Sequence, residues 1–310
     1  MANMNGKTVL ITGGTDGLGK EVAGKLASLG STVLVTGRDR SKGETVVREL
    51  QQEYGTNAVK LFIADFSSQE EVRHLAKEIA GRYDRLDVLI NNAGLGKTEQ
   101  TLTDDGYEMT FAVNYLAPFL LTHCLLPQLR AAKSSRIINV SSGYQADGEL
   151  NFDDLHGRKE YDAWDAYSQS KLAIVLFTYE LADQLKNTEI TVNALEPGLV
   201  PGTSFARHLP WHWKFGFHVL SRLPARFVRT PKKGAETYVY LAASPEVTGI
   251  TGEYFVDKQS KQSAAKSYDS ELRKRLWDVS VELTGVSSNI PIQQRHRKTP
   301  EGEQSWQEKP

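Results

Sequence analysis

Short apolar segments that favour β-strands alternate with helical segments along most of the chain. In the first such unit, residues 7–12 read KTVLIT, glycines follow, and residues 18–29 carry apolar side chains at helical spacing. The short strands are apolar on both faces, as strands of a buried parallel sheet are. This alternation predicts an α/β fold, a single domain built on a doubly wound parallel sheet.

The remaining elements follow the same rule, and residues 1–286 are predicted to form one domain. Ser67 and Glu70 have the spacing of a helix-capping box. Residues 287–310 are rich in Gln, Pro, Lys and Glu and predict a flexible tail. Further strands are predicted near residues 32–36, 59–64, 86–91, 136–141, 190–195 and 253–256, and helices near 41–54, after 67, and near 105–130, 167–186 and 233–243.

The composition excludes some functions. The 310 residues include 37 Lys and Arg against 38 Asp and Glu, so no broad positive field attracts nucleic acid. The one cysteine, Cys124, has no intramolecular partner and lies in an apolar segment, which predicts a buried thiol and a reducing compartment. No apolar run approaches the length of a membrane span, and the first residues lack a signal sequence. We therefore expect a cytoplasmic protein without a transmembrane segment.

The glycine-rich segment TGGTDGLG, residues 12–19, lies between the first strand and the first helix. In a doubly wound sheet the ligand lies at the carboxyl ends of the strands. Glycines there let the backbone approach a pyrophosphate, which the free N–H groups of the helix stabilise. Because the spacing differs from the common dinucleotide fingerprint, an ordinary glycine-rich turn is the alternative.

Two further strand ends carry polar residues. Arg38 follows Gly37 after the second strand, where an arginine accommodates the 2′-phosphate of NADP, while Asp39 leaves NAD open. Asn91 and Asn92 follow the strand LDVLI, although paired asparagines also form simple turns.

A tyrosine and a lysine have the spacing of an acid-base pair. Tyr167 and Lys171 are four residues apart, so on a helix they share one face. An adjacent ammonium favours the phenolate and lowers the pKa of a tyrosine towards neutral pH. An ordinary surface pair is the alternative. Ser141 and Ser142 directly follow the strand RIINV, so we expect them at the same edge of the sheet as the other motifs, where the parallel strands end.

Taken together, these motifs resemble the short-chain dehydrogenase/reductase family over about residues 5–260. The resemblance rests on TGGTDGLG, NNAG at 91–94, Asn114, Ser142, YSQSK at 167–171 and PG at 197–198. The segments GRDRSKGE, FAVNYLAPFLLT, RIINVSS and AYSQSKLAIVLF are most similar to the retinol-dehydrogenase-like branch. The resemblance implies a Rossmann-type fold and an NADP(H)-dependent oxidoreductase. Its reaction would transfer a hydride between the nicotinamide and a carbonyl or alcohol of a retinoid-, steroid- or lipid-like substrate.

The resemblance also implies roles for individual residues. Tyr167 would be the acid-base, Lys171 would lower its pKa and hold the nicotinamide ribose, and Ser142 would position the substrate oxygen. Asn114 would hold a water that links Lys171 to solvent. No metal is expected. The implied cofactor contacts are Gly13, Asp16, Gly17, Leu18 and Gly19 for the pyrophosphate, Arg38 for the 2′-phosphate, Asp65 and Phe66 for the adenine, Asn92, Ala93 and Gly94 for the adenosine ribose, and Pro197, Gly198 and Val200 for the nicotinamide.

Residues 203–226 follow the Pro-Gly turn and are rich in aromatic side chains, Trp211 and Phe215 among them. They predict a helical lid over an apolar substrate; packing on the core, a subunit interface and a peripheral membrane contact are the alternatives. A monomer and a homodimer both remain open. A protochlorophyllide-reductase-like enzyme and a non-catalytic NADP-binding sensor are the alternative functions.

Overall fold

The computed structural model describes residues 3–55, 57–200, 229–288 and 290, and a mostly parallel sheet runs through them. The strand order is β3-β2-β1-β4-β5-β6-β7-β8, and every neighbouring pair is parallel except β7 and β8. The strands are β1 (Thr8–Ile11), β2 (Thr32–Gly37), β3 (Val59–Ile63), β4 (Val88–Asn91), β5 (Ser135–Val140), β6 (Ile190–Glu196), β7 (Tyr254–Val256) and β8 (Gln259–Lys261).

Helices cover both faces of the sheet. Helices α1, α2 and α6 share one apolar core with one face, and α3, α4, α5 and α7 share a second core with the other. The predicted doubly wound fold is therefore confirmed. The described helices are α1 (Gly17–Ser28), α2 (Arg40–Tyr54), α3 (Gln69–Arg82), α4 (Met109–Ala131), α5 (Ala163–Gln184), α6 (Pro231–Ala243) and α7 (Ser270–Thr284).

The strand order reverses between β1 and β4, which opens a crevice at their carboxyl ends. Thr12 fixes the two sides of this crevice. Its N–H donates to the Ile90 carbonyl oxygen at 3.0 Å, and its hydroxyl oxygen accepts from the N–H groups of Asn92 and Ala93, both at 2.9 Å. The loops after β1 and β4 are thus held together where a ligand is expected.

The structure differs from the sequence predictions at several elements. Helix α7 and strand β8 were not predicted. The cap of α3 lies one residue later than the predicted Ser67 and Glu70 pair: the Ser68 hydroxyl accepts from the Glu71 N–H at 3.3 Å. The Glu71 carboxylate in turn accepts from the Asp65 N–H at 2.7 Å, which joins the cap to the end of β3.

Helix α4 corrects the expectation that no segment is apolar enough to span a membrane. By length and composition alone, its 23 residues are sufficient. However, 83% of its apolar window is buried inside the protein, against α3 and the sheet. A helix at the centre of a core has the same composition. Cys124 lies on this helix and is half-buried, and burial raises the pKa of its thiol.

Helix α4 begins with a buried cap and contains an irregular turn. The Glu108 carboxylate accepts from the N–H groups of Thr110 and Phe111 at 2.8 and 2.6 Å. Residues Ala112–Leu116 then form a π-helical turn. The predicted lid, residues 203–226, lies outside the described residues, as does most of the predicted tail. Ile290 of that tail is buried in the core on the α7 side.

Candidate active site

A cleft of about 640 Å³ lies along the carboxyl ends of the parallel strands. It is formed by the loops that follow β1 to β6, together with Val113 of α4, Tyr167 and Lys171 of α5 and Tyr238 of α6. Its volume is in the range of small-molecule and cofactor sites. One end lies beside the loops that follow β2 and β3, and the other lies beside α5.

The glycine loop between β1 and α1 packs too closely for side chains at several positions, Gly13 and Gly19 among them. Gly13 has a φ of +66°, and a Cβ there would lie 3.1 Å from the Ala93 Cα. A Cβ at Gly19 would lie 2.4 Å from the Gly13 carbonyl oxygen. Asp16 caps α1 by accepting from the Gly17 N–H at 2.7 Å. The loop can therefore present its bare backbone to a ligand at the start of α1.

Two cationic side chains line the cleft beside this loop. Arg38 is 63% exposed, and its Nη1 is 3.7 Å from an Asp65 carboxylate oxygen. The Lys42 Nζ is 2.5 Å from an Asp16 carboxylate oxygen. Asp39 caps α2 by accepting from the Lys42 N–H at 3.0 Å. This end of the cleft therefore carries two cationic groups that a phosphate can contact, each beside a carboxylate in the protein alone. Lys42 was not recognised from the sequence.

The Asn92 side chain connects the end of β1 to α6 at the cleft. Its side-chain N–H donates to the Thr12 carbonyl oxygen at 2.8 Å, and its Oδ1 accepts from the Tyr238 hydroxyl at 3.3 Å. Gly94 follows, and a Cβ there would lie 3.3 Å from the Asn114 Oδ1 and 3.6 Å from the Lys171 Nζ. The Asn92–Gly94 segment thus lies directly against the residues of the reacting end.

Asn114 is the one predicted site residue that does not line the cleft. It is 2% exposed, in the π-helical turn of α4. Its Oδ1 accepts from the Leu95 N–H at 2.8 Å, and its Nδ2 donates to the Leu95 carbonyl oxygen and the Ser170 hydroxyl, both at 2.9 Å. Asn114 therefore positions the loop after β4 against α5, and its predicted contact with a cleft water stays a prediction.

Tyr167, Lys171 and Ser142 meet at the other end of the cleft. Tyr167 and Lys171 lie one turn apart on α5, with the Lys171 Nζ 5.5 Å from the centre of the Tyr167 ring. The Ser142 side chain lies next to the Tyr167 phenol, close enough for its hydroxyl to lower the pKa of that phenol. The Ser141 hydroxyl instead donates to the Lys171 carbonyl oxygen at 2.8 Å. Of the two adjacent serines, Ser142 is thus the one that lies next to the tyrosine.

Burial sets the protonation of this group. It raises the pKa of Tyr167, and the nearby Ser142 hydroxyl only partly opposes this. Burial also lowers the pKa of Lys171 to about 8, and its Nζ donates to the Val140 carbonyl oxygen at 3.1 Å. The expected lowering of the Tyr167 pKa by Lys171 is not observed in the protein alone. At neutral pH the phenol is protonated and can donate a proton.

Comparison with known proteins identifies the family. A model of the short chain dehydrogenases matches residues 7–211. The chain belongs to the short-chain dehydrogenase family. Human retinol dehydrogenase 14 is 42% identical over 298 residues, which cover 91% of this chain and 88% of that protein. Human polyprenol dehydrogenase is 37% identical over 286 residues, 90% of this chain and 86% of that protein. The predicted retinol-dehydrogenase-like branch is therefore confirmed.

Solved structures of short-chain dehydrogenases share the fold. One from Escherichia coli CFT073, complexed with NADPH, has a TM-score of 0.65 and is 28% identical. The matched region covers 83% of this chain and 98% of that chain.

In this short-chain dehydrogenase the cleft gathers the other predicted residues from six loops and α5. Within the described residues, no group of three or more His, Cys, Asp and Glu side chains could hold a metal ion. The predicted residues that line the cleft are Gly13, Asp16, Gly17, Leu18, Gly19, Arg38, Asp65, Phe66, Asn92, Ala93, Gly94, Ser142, Tyr167, Lys171, Pro197, Gly198 and Val200. Lining residues that the sequence did not identify include Thr15, Lys42, Tyr144, Glu196 and Tyr238.

Some of the missed residues had a usable signal. Lys42 follows Arg38 in GRDRSKGE by about one helical turn, so both cations could have been assigned to the start of α2. Glu196 immediately precedes the Pro-Gly turn, where a strand end was expected. Tyr238 offered no such signal, because it lies in the middle of α6 and reaches the cleft only through the packing of α6 on α1.

Proposed function

We propose that the protein is an NADP(H)-dependent oxidoreductase that interconverts a carbonyl and an alcohol on an apolar substrate. The observation that carries this proposal is the contact of Tyr167 with Ser142, one helical turn from Lys171, at the end of a cleft whose opposite end carries two cations. Bound NADP(H) would supply or accept the hydride at the nicotinamide.

The cofactor assignment rests on the fit of the cleft. Gly13 and Gly19 leave the backbone bare where a pyrophosphate would lie, and the start of α1 offers free N–H groups. Arg38 and Lys42 provide positive charge for a 2′-phosphate. Asp39, the candidate ligand for an unphosphorylated ribose, already caps α2. These contacts favour NADP over NAD, in line with the NADPH complex of the related Escherichia coli enzyme.

The proton transfer follows from the state of Tyr167. During reduction its phenol would donate a proton to the substrate oxygen as the carbonyl carbon receives the hydride. The Ser142 hydroxyl would donate a hydrogen bond to the same oxygen and hold it next to the phenol. The phenolate that remains would be stabilised by the Lys171 ammonium, which with a pKa of about 8 is mostly protonated at neutral pH.

The substrate class follows from the relatives. Retinol and polyprenol, the alcohols in the names of two relatives, are long and apolar, so we propose a retinoid-, steroid- or lipid-like aldehyde, ketone or alcohol. Protochlorophyllide reductases carry a cysteine on the substrate side of the cleft. The one cysteine of this chain, Cys124, lies on α4 and does not line the cleft, so a protochlorophyllide-reductase-like reaction gains no support. Cytoplasmic localisation stays a prediction.

The test is oxidation of NADPH with a panel of apolar aldehydes and ketones. Wild type should turn over at least one member, and Tyr167→Phe should lose that activity. Tyr144→Phe is the matched control, because its ring also lines the cleft, 6.1 Å from the Tyr167 ring between centres. It should remain active. Tight NADPH binding without turnover of any member would favour a sensor instead.

A further inference from the structure

The carboxylate of Glu196 lines the cleft at its reacting end. Strand β6 ends at this residue, and alternate positions of the strand face opposite sides of the sheet. Ala194, two residues earlier, packs in a cluster with Val175 and Tyr179 of α5. Glu196 therefore lies on the side of the sheet that α5 covers, the helix that carries Tyr167.

One oxygen of this carboxylate is held firmly. Glu196 Oε2 accepts from the Tyr254 hydroxyl at 2.8 Å. Tyr254 is buried, and burial together with the nearby Glu196 raises the pKa of its phenol, so it keeps its proton and acts as the donor. A Cβ on Gly143 would lie 3.4 Å from both carboxylate oxygens. The carboxylate is thus fixed against the backbone of the residue that follows Ser142.

The other oxygen, Oε1, has no hydrogen bond or ion pair with any residue that the structure describes. Arg229, which donates to the carbonyl oxygen of the adjacent Pro197 at 3.1 Å, is paired with Asp257 at 2.7 Å. A fixed acceptor with lone pairs available therefore lies near Ser142 in the cleft. A substrate that is only hydrocarbon beyond its reacting carbon would displace water from this oxygen without replacing the hydrogen bond, which is unfavourable.

We propose that Glu196 is a specificity-determining residue, and that it selects apolar carbonyl and alcohol substrates carrying a second hydrogen-bond donor near the reacting carbon. The donor is an O–H or N–H group that binds Glu196 Oε1. This inference rests on the function proposed above. A site that hydrogen-bonds a substrate group rejects the analogue without that group much more strongly than an apolar pocket distinguishes two hydrocarbons.

The experiment compares long-chain ketones that differ at one position. Each unsubstituted ketone is paired with analogues that carry a hydroxyl or an amino group on the second, third or fourth carbon, counting the carbonyl carbon as the first. The kcat/KM of each ketone is measured with NADPH. Wild type should prefer one hydroxyl or amino position over the unsubstituted parent by about ten- to a hundredfold, the range of one charge-assisted hydrogen bond. The two series distinguish an O–H from an N–H donor.

Variants separate the carboxylate from the intrinsic reactivity of each ketone. Glu196→Leu should abolish the preference but still convert the unsubstituted parent ketone to its alcohol. Glu196→Gln should weaken the preference. The matched control is Glu253→Gln, because this carboxylate lies near the other end of β7, bonds to Ser260 and does not line the cleft. Its preference should equal that of wild type. NADPH titration checks that each variant is folded, and Glu196→Gln replaces Glu196→Leu if the latter does not bind.

The outcomes are distinct. Equal kcat/KM for every hydroxylated, amino and unsubstituted ketone would overturn the inference and leave the proposed function intact. A preference that persists in both Glu196 variants would also overturn it. If none of these ketones and no apolar aldehyde of the panel is reduced with NADPH, and no corresponding alcohol is oxidised with NADP, the proposed function fails, and the inference fails with it.

Discussion

Replacing Lys171 by methionine should make the stability of the protein less dependent on pH above pH 8. Lys171 is 5% exposed, and burial lowers its pKa from 10.5 to about 8. Below pH 8 the amine is protonated in both the folded and the unfolded chain, and its burial has a constant cost. Between pH 8 and 10.5 only the unfolded chain keeps the proton, so the folded state of the wild type gains stability as the pH rises. Methionine has no proton to lose.

The size of the effect follows from the same two pKa values. They differ by about 2.5 pKa units, and at about 1.4 kcal/mol per unit the protonated amine destabilises the fold by about 3 kcal/mol. Most of this is recovered by pH 10. The free energy of unfolding of wild type, minus that of Lys171→Met, should therefore rise by about 2 to 3 kcal/mol between pH 7 and pH 10. The hydrogen bond from the Lys171 Nζ to the Val140 carbonyl oxygen, which methionine cannot make, also contributes to the difference in unfolding free energy while the amine is protonated. This contribution is smaller than the cost of burying the charge.

The assay is urea denaturation of the cofactor-free protein at pH 7, 8, 9 and 10, followed by tryptophan fluorescence. Tyr167→Phe is the control: burial raises the pKa of Tyr167 above 10, so its phenol is protonated in both states below about pH 9. This variant should follow the wild-type curve over that range. Parallel curves for wild type and Lys171→Met would show that burial does not perturb the amine, and the reasoning would be wrong.

Three further predictions concern the cleft. Tyr167→Phe should lower kcat by about 10² to 10⁴, the usual contribution of a general acid, with an unchanged Kd for NADPH by fluorescence titration; retention of more than about a tenth of the activity would contradict the role. Arg38→Ala and Lys42→Ala should each weaken NADPH binding by about tenfold and leave NADH binding unchanged; equal wild-type affinities for the two would argue against the phosphate site. Asn114→Ala should lower the free energy of unfolding by about 2 to 4 kcal/mol, because the N–H and C=O of Leu95 lose their buried partners; urea denaturation measures this, and a loss below about 0.5 kcal/mol would disagree.

The elements that lie at strand ends were the most predictable part of the site. Parallel strands finish at the same edge of a sheet, so sequence position after a strand is enough to bring Gly13, Asn92 and Ser142 together. The choice between Ser141 and Ser142 required more. Successive residues of an extended segment point in opposite directions, and the structure directs Ser141 to the backbone of α5 and Ser142 to Tyr167.

Contacts between distant residues were not predictable from spacing. Asn114 was recognised, but its bonds to Leu95 and Ser170 depend on how α4 packs on α5. The same holds for Glu196 and Tyr254, which are 58 residues apart. The pKa of Tyr167 was not predictable either, because the spacing indicates the nearby cation, whereas the burial that raises the pKa depends on the packing of the whole site.

Helix α7 could have been predicted. Asp269 caps its start by accepting from the Glu271 N–H at 2.9 Å, and Gly285 ends it with a φ of 62°. Both residues are visible in the sequence as ordinary start and stop signals. The helix packs on the core through Trp277, whose ring centre lies 5.1 Å from that of Phe119 on α4.

Because of its π-helical turn, α4 should tolerate a change in its number of residues poorly. Ala112–Leu116 closes with a bond from the Ala117 N–H to the Ala112 carbonyl oxygen, one residue wider than an α-helical turn. Deleting one residue here would restore a regular helix and rotate everything beyond it by about 100° relative to Asn114. Either Asn114 would leave Leu95, or Phe119 would leave the core. The single extra residue lets one helix direct Asn114 to Leu95 and also Phe119 into the core. A one-residue deletion there should therefore be far less tolerated than a substitution.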